Sequence, residues 1–426
     1  MIAADPVEEP RLLLLARTAP GDGNVGQLFL RDLCRSWPQE KLAFGTVTQS
    51  ATEEASREFA HVPGLRLVIP ELRRVRTRPA AVGAVLSHLA YRAEGWRHDS
   101  AVVRDLVRFG RQQNVEKVWA VLDSPMLYRV APRVAAELDV PLASTIWDPP
   151  EGVCLQLGID RLSRRLARRQ FVHALQSSER CGVISERMAR AYGRLYGTDN
   201  VVVRHGISAA DVCRRERPED GELHIGFCGS LYAEAEWVTL LQALDHLQWR
   251  VGRRRVRLIV AGSRIPVLRS RSAAHVEYLG WRDMHEVVER MANCDFGYFP
   301  YWFNEAYADS VRLCFGTKLT TYMTAGLPVL YHGPRDAALV DFFGRFDVAN
   351  CCHQLDPVRL SQTIEQMADP ASRACMANEV ERAVAEELNE RVFHERFREL
   401  VGGPPPAAET DHRATARPQL RKGDLP

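Results

Sequence analysis

The sequence has 426 residues, 46% hydrophobic and 26% charged, with a formal net charge of only +2. That length suits two domains, and the charge balance excludes a protein that grips nucleic acid through a bulk positive field. The longest apolar runs, such as RLLLLA and VRLIVAG, are of strand length, which excludes a membrane-spanning helix.

From the N-terminus the strand candidates are RLLLLA, LAFGTV, LRLVI, VEKVWAVL, PLASTIW, CGVIS and VVVRHG, with amphipathic helices such as QLFLRDLCRSW and MLYRVAPRVAAEL between them. This alternation predicts a parallel sheet covered on both faces. Apolar periodicity lapses over residues 208–222, SAADVCRRERPEDGE, which read as a linker. It resumes with LHIGFCGS, a helix from about Glu234, VRLIVAG, VEYLGW and FGYFP. Then comes VRLCFGTKLTTYMTAGLPVLYHGP, in which Gly326 ends a helix and Pro328 leads into the strand VLYH. Residues 371–401 read as mostly helical, and the Pro-rich, charged end as disordered. The expected fold class is α/β, with two doubly wound, Rossmann-like domains at residues 1–210 and 211–400 and a tail at 401–426. The start MIAADPVEEP lacks the layout of a signal peptide, and the ten cysteines include no C-x-x-C. Reduced thiols and a cytoplasmic location are expected.

Ligands of open parallel sheets bind at the carboxyl ends of the strands, so the residues just after each strand are the candidates. After the first strand, Gly23, Asn24 and Gly26 form either a flexible turn or a loop whose N–H groups meet a ligand. Asp148 follows PLASTIW beside Trp147 and before two prolines. It either caps the turn or positions and deprotonates an acceptor hydroxyl. Asp123 is more readily a helix cap. In the second half, FCGS, AGSR and YLGW place Gly229, Ser230, Arg264 and Trp281 at successive strand ends. Glycines there let a ligand approach the backbone, and Trp281 either stacks on a flat ring or belongs to the core. Arg312 and Lys318 flank the start of the helix ended by Gly326, where free N–H groups favour phosphate. Lys318 and Thr321 share a face of that helix, while Leu319, Tyr322 and Met323 face the core. The basic helix RLSRRLARRQF and the segment LRRVRTRPA are solvated faces, or a patch for anionic lipid or a polyanionic acceptor. No D-x-D and no His/Cys set has metal-ligand spacing, so no metal is assigned, and no G-x-S-x-G marks a hydrolase.

The segment VISERMARAYGRLYGTDNVVVRHGIS resembles the end of the N-terminal domain in glycosyltransferase family 4. HIGFCGSL resembles the opening strand and glycine turn of that family's donor domain, and TKLTTYMTAGLPVL its donor-site helix. The resemblance implies the GT-B fold, with two Rossmann-like domains facing an interdomain cleft and the last helices packing back on the N-terminal domain. It further implies sugar transfer from a nucleoside diphosphate donor, usually retaining and without a catalytic metal or other cofactor. The donor would be bound by Gly229, Ser230, Arg264, Trp281, Arg312, Lys318 and Thr321. Asp148, Arg312 and Lys318 would serve catalysis, and the Gly23–Asn24–Gly26 loop the acceptor or a phosphate. The expected partners are a nucleotide sugar and an acceptor of unknown kind (glycan, lipid-linked or small molecule), with no nucleic acid and at most peripheral membrane contact. The sequence departs from the family where two glutamates are usual, at Leu313 and Thr321. It also lacks the Arg and Lys that follow the first donor-domain glycine turn. An inactive GT-B binding module is therefore the alternative, with a sugar-nucleotide epimerase behind it.

Overall fold

Runs buried at every position make strands covered on both faces. The first of them, β1 (Leu12–Ala16), lies in the interior of a seven-stranded sheet, third from one edge. The computed structural model describes residues 9–48, 55–69, 80–208, 210–213, 221–262 and 273–402. After β1 come α1 (Val25–Arg35), β2 (Leu42–Thr48), β3 (Gly64–Val68), α2 (Ala80–Gln112), β4 (Lys117–Val121) and α3 (Pro125–Leu138). They are followed by β5 (Leu142–Ile146), α4 (Pro150–Gln156), α5 (Arg161–Gln176), β6 (Arg180–Val183), α6 (Glu186–Tyr196) and β7 (Asn200–Val202). The strand order is β3-β2-β1-β4-β5-β6-β7, all parallel.

The second unit opens with β8 (Glu222–Cys228), α7 (Glu234–His246), β9 (Arg250–Val251), β10 (Arg254–Ala261), β11 (Val276–Gly280) and α8 (Met284–Ala292). It continues through β12 (Phe296–Pro300), α9 (Ala308–Leu313), α10 (Lys318–Thr324), β13 (Val329–His332), α11 (Ala338–Phe343) and β14 (Ala349–Cys352). Its parallel order is β11-β10-β8-β12-β13-β14, with the short β9 antiparallel on β10. Helices α12 (Pro357–Met367), α13 (Pro370–Glu386) and α14 (Glu390–Gly402) end the described chain. The protein has the GT-B architecture of two Rossmann-like domains.

Helix starts fall on side chains that accept otherwise unpaired N–H groups: Asn24 from Gln27, Asp160 from Leu162 and Ser163, Ser185 from Met188. At α3 the cap is Ser124, which accepts from Leu127, and not Asp123. The last helix returns to the first sheet, where Phe393, Phe397 and Leu400 pack with Leu12, Leu14 and Trp119. Val401 and Gly402, placed in the tail by sequence, finish α14. The rest of the tail and most of the linker lie outside the described residues.

The two units meet through α9, which packs against α4 and α6. Ser185 Oγ donates to the Leu313 carbonyl at 2.5 Å, and Arg187 grips both carboxylate oxygens of Asp341 at 2.6 and 2.7 Å. The carboxyl ends of β5 and β8 thereby border one cleft.

Candidate active site

In the second sheet the connections change sides between β8 and β12, which is where a doubly wound sheet opens a crevice. Gly229 closes β8 at φ +83, a backbone conformation that a side chain would strain. A Cβ at Gly262 would come within 2.3 Å of the Gly229 carbonyl oxygen. The Gly262 N–H donates to the Gly280 carbonyl at 2.9 Å. The turns after β8, β10 and β11 therefore form one floor, with Gly229 and Ser230 exposed on it.

Lys318, the first residue of α10, lies against this floor. A Cβ at Gly229 would stand 3.4 Å from its Nζ, and Nζ sits 4.2 Å from the centroid of the Tyr232 ring. The side chain is half-buried, and burial lowers its pKa from 10.5 to about 8. Among the described residues no carboxylate forms an ion pair with it. A half-buried cation on an aromatic face, without a counter-ion, suits an anion that arrives from outside. Beyond it, Thr321 Oγ1 donates to Met284 Sδ at 3.9 Å. Trp281 is 63% exposed just past β11, so it is not a core residue and offers an open ring face.

The facing wall belongs to the first sheet. Trp147 packs edge-on to Phe29, and a Cβ at Gly26 would lie 3.1 Å from its ring. The turn after β1 and the turn after β5 are thus one surface. Gly23 and Asn24 are exposed on it, although the Asn24 side chain is engaged in capping α1. Asp148 Oδ1 accepts from the Cys314 thiol at 3.5 Å across the interface. Burial raises the Asp148 carboxyl, against the lowering effect of that hydrogen bond. Burial also pushes the Tyr232 phenol up, with Asp148 among the neighbouring charges that add to it. The Tyr232 ring, which carries the Lys318 ammonium, is thus within electrostatic reach of Asp148.

The structure brings together Asp148, Gly229, Ser230, Lys318, Thr321 and the Gly26 turn, but it gives Arg312 a different partner. Residues 314–317 separate α9 from α10. The Arg312 guanidinium pairs with Asp336 Oδ2 at 2.6 Å, both side chains being about half exposed. Arg312 thus has a carboxylate partner of its own, unlike Lys318. Arg264 lies outside the described residues. Three residues escaped the sequence reading. Tyr232, three positions after Gly229, was within reach of the strand-end rule, as was Arg17, directly after β1. Arg17 is partly buried, with no ion pair among the described residues, and β1 borders the crevice of the first sheet. Cys314 carried no signal.

Residues 222–351 match the family described as glycosyl transferases group 1. A comparison with curated protein sequences gives no match. Among solved structures, the chain is similar to HepE of Anabaena in complex with UDP-glucose, with a TM-score of 0.60 and 14% identity over 92% of this chain and 99% of that one. Sucrose-phosphate synthase of Thermosynechococcus elongatus gives a TM-score of 0.62 and 12% identity over 92% and 98% of the two chains. WaaG, a glycosyltransferase involved in lipopolysaccharide biosynthesis, gives 0.58 and 14% over 92% and 100%. At such identities these likenesses establish the fold, and the family match falls on the domain that carries Gly229 and Lys318. The chain has the GT-B fold, and its second domain is similar to the glycosyl transferases of group 1.

Proposed function

We propose that the protein moves a sugar from a nucleoside diphosphate donor to an acceptor hydroxyl, retaining and without a catalytic metal, in polysaccharide or glycoconjugate synthesis in the cytoplasm. The observation that carries this is Lys318, a half-buried ammonium without a counter-ion at the crevice of the second sheet. There it would neutralise the leaving diphosphate beside the exposed Gly229–Ser230 turn. Trp281 would stack on the base, and Thr321 would stand where the family's glutamate meets the ribose. Asp148 would hold or deprotonate the acceptor hydroxyl, with the Gly23–Gly26 turn and Arg17 on the acceptor side. HepE has been crystallised with UDP and with UDP-glucose, which supports a uridine diphosphate sugar as the first donor to test.

One observation favours the inactive binding module: Leu313 and Thr321 stand at the family's glutamate positions, and Arg312, the nearest replacement cation, is taken by Asp336. An epimerase needs acid and base groups on both sides of the sugar, and among the described residues Asp148 is the one carboxylate assigned to these walls. Incubation with a panel of nucleotide sugars decides between the readings. Release of nucleoside diphosphate marks the transferase, whereas binding without turnover marks the module.

A further inference from the structure

We propose that the face formed by the first half of α2 and by α5 docks on an anionic lipid surface. Val82, Val85, Leu86 and Leu89 follow the i, i+3, i+4, i+7 spacing of one helix face, and each is between 42 and 55% exposed. Leu162 on α5 is exposed beside them, and His88, Arg92, Leu162, Arg165, Leu166 and Arg169 line the groove between the two helices. His88 Nδ1 hydrogen-bonds Ser163 Oγ at 3.1 Å, and Tyr91 donates to Gln170 Oε1 at 2.8 Å, so the two helices present one surface.

Charge chooses the occupant. Neither residues 80–93 nor α5 contain a single Asp or Glu. Many arginines elsewhere on the surface sit on carboxylates, such as Arg187 on Asp341 and Arg382 on Glu379. Here Arg92, Arg161, Arg165 and Arg169 have no such partner among the described residues. Unpaired arginines around exposed aliphatic side chains match the headgroup and acyl layers of a bilayer, with the long stems reaching up to phosphate. No helix of the described residues is long and apolar enough to cross a membrane, so the contact is peripheral. The face also adjoins the acceptor wall. Cys154 of α4 packs with Tyr91 and Ala167, and Arg168 pairs with Glu151 at 3.5 Å, on the helix that starts just after Asp148. Docking would hold that wall at the bilayer.

The test is flotation of the full chain with vesicles of phosphatidylcholine alone, or with about one third phosphatidylglycerol. It needs no nucleotide, so it stands or falls apart from the transferase reading. The protein is expected to float with the anionic vesicles and not with the neutral ones. Arg92→Gln, Arg165→Gln and Arg169→Gln together should lower partitioning about a hundred-fold. Leu86→Glu with Leu89→Glu should abolish it, with the melting temperature unchanged because both sites are exposed. Equal partitioning to neutral vesicles would overturn the proposal, as would unchanged partitioning of the variants. So would a self-associated chain that Leu89→Glu dissociates without any vesicle binding. Binding of glycerol phosphate alone, unaffected by Leu86→Glu, would also overturn it and leave a phosphate pocket instead.

Discussion

Replacing Lys318 by methionine keeps the stem and removes the charge, which separates the cost of that charge from its use. Burial lowers the lysine from 10.5 to about 8, a shift worth about 3 kcal/mol if nothing screened it. Water at the half-buried side chain cuts this to ~2 kcal/mol, and the Tyr232 face returns ~1 kcal/mol. Lys318→Met is therefore expected to leave stability at pH 7 unchanged or to raise it by about 1 kcal/mol. The pH dependence has a definite sign. Because the folded pKa is depressed, the unfolded chain binds more protons between about pH 8 and 10.5, so wild-type stability rises with pH across that window. This rise should be missing in the variant. Donor binding should move the other way. A charge-assisted contact with diphosphate is worth ~1.5–3 kcal/mol, so the variant should bind UDP about ten- to a hundred-fold more weakly. UMP should be affected less. Above about pH 8 the wild type must take up a proton to bind, and its UDP affinity should fall. Urea melts at several pH values and calorimetric titration with both nucleotides measure these effects. A variant destabilised by more than ~1 kcal/mol with unchanged UDP affinity would refute the reasoning and make Lys318 a structural partner of Tyr232.

The remaining substitutions divide the site by role. Asp148→Asn should lower turnover by about a hundred-fold while leaving UDP affinity nearly unchanged; because burial raises the carboxyl, the acid limb of the wild-type rate should lie above pH 3.8. Trp281→Ala should weaken UDP about ten-fold without moving the melting temperature, since the ring is exposed. Arg312→Ala should change UDP affinity less than about two-fold, because an exposed ion pair is worth under ~1 kcal/mol and its partner is Asp336. Thr321→Glu places a carboxylate one turn from Lys318, so it should raise stability at pH 7 and weaken UDP by occupying the ammonium. Calorimetry and thermal melts read all four.

The architecture was legible because burial on both sheet faces writes itself as uninterrupted apolar runs. LLLLA and KVWAV are the strands β1 and β4, and every residue of each is buried. Shorter or less apolar elements escaped. The strand β14, ANCC, has two half-buried positions and no bulky apolar residue, and β9 is two residues of a turn-like pair. The break between α9 and α10 was hidden for a different reason. CFGT carries no proline, and its departure from the helix follows from Phe315 and Cys314 being drawn into the core and Gly316 packing over Phe299.

At the site, legibility followed chemistry that a local pattern can express. A glycine after a strand signals an approachable backbone wherever the chain later goes, so the strand-end glycines of FCGS and YLGW could be singled out before both were seen to meet Gly262. A cation is another matter, because its meaning depends on which carboxylates the fold brings to it. Arg312 and Lys318 stand near one helix start and look equivalent in the sequence. Asp336 comes from beyond β13 to pair with the first, while the second meets Tyr232, Phe227 and the glycine floor and, among the described residues, no carboxylate. Even the missing glutamate takes on a physical meaning in this arrangement. A carboxylate at position 321, one turn from Lys318, would hold the ammonium's charge when no ligand is bound. With threonine there, the ammonium is left uncompensated and its pKa falls toward neutrality. Threonine at this position thus sharpens the demand for an external anion at Lys318, and under the proposed function the donor diphosphate would supply it.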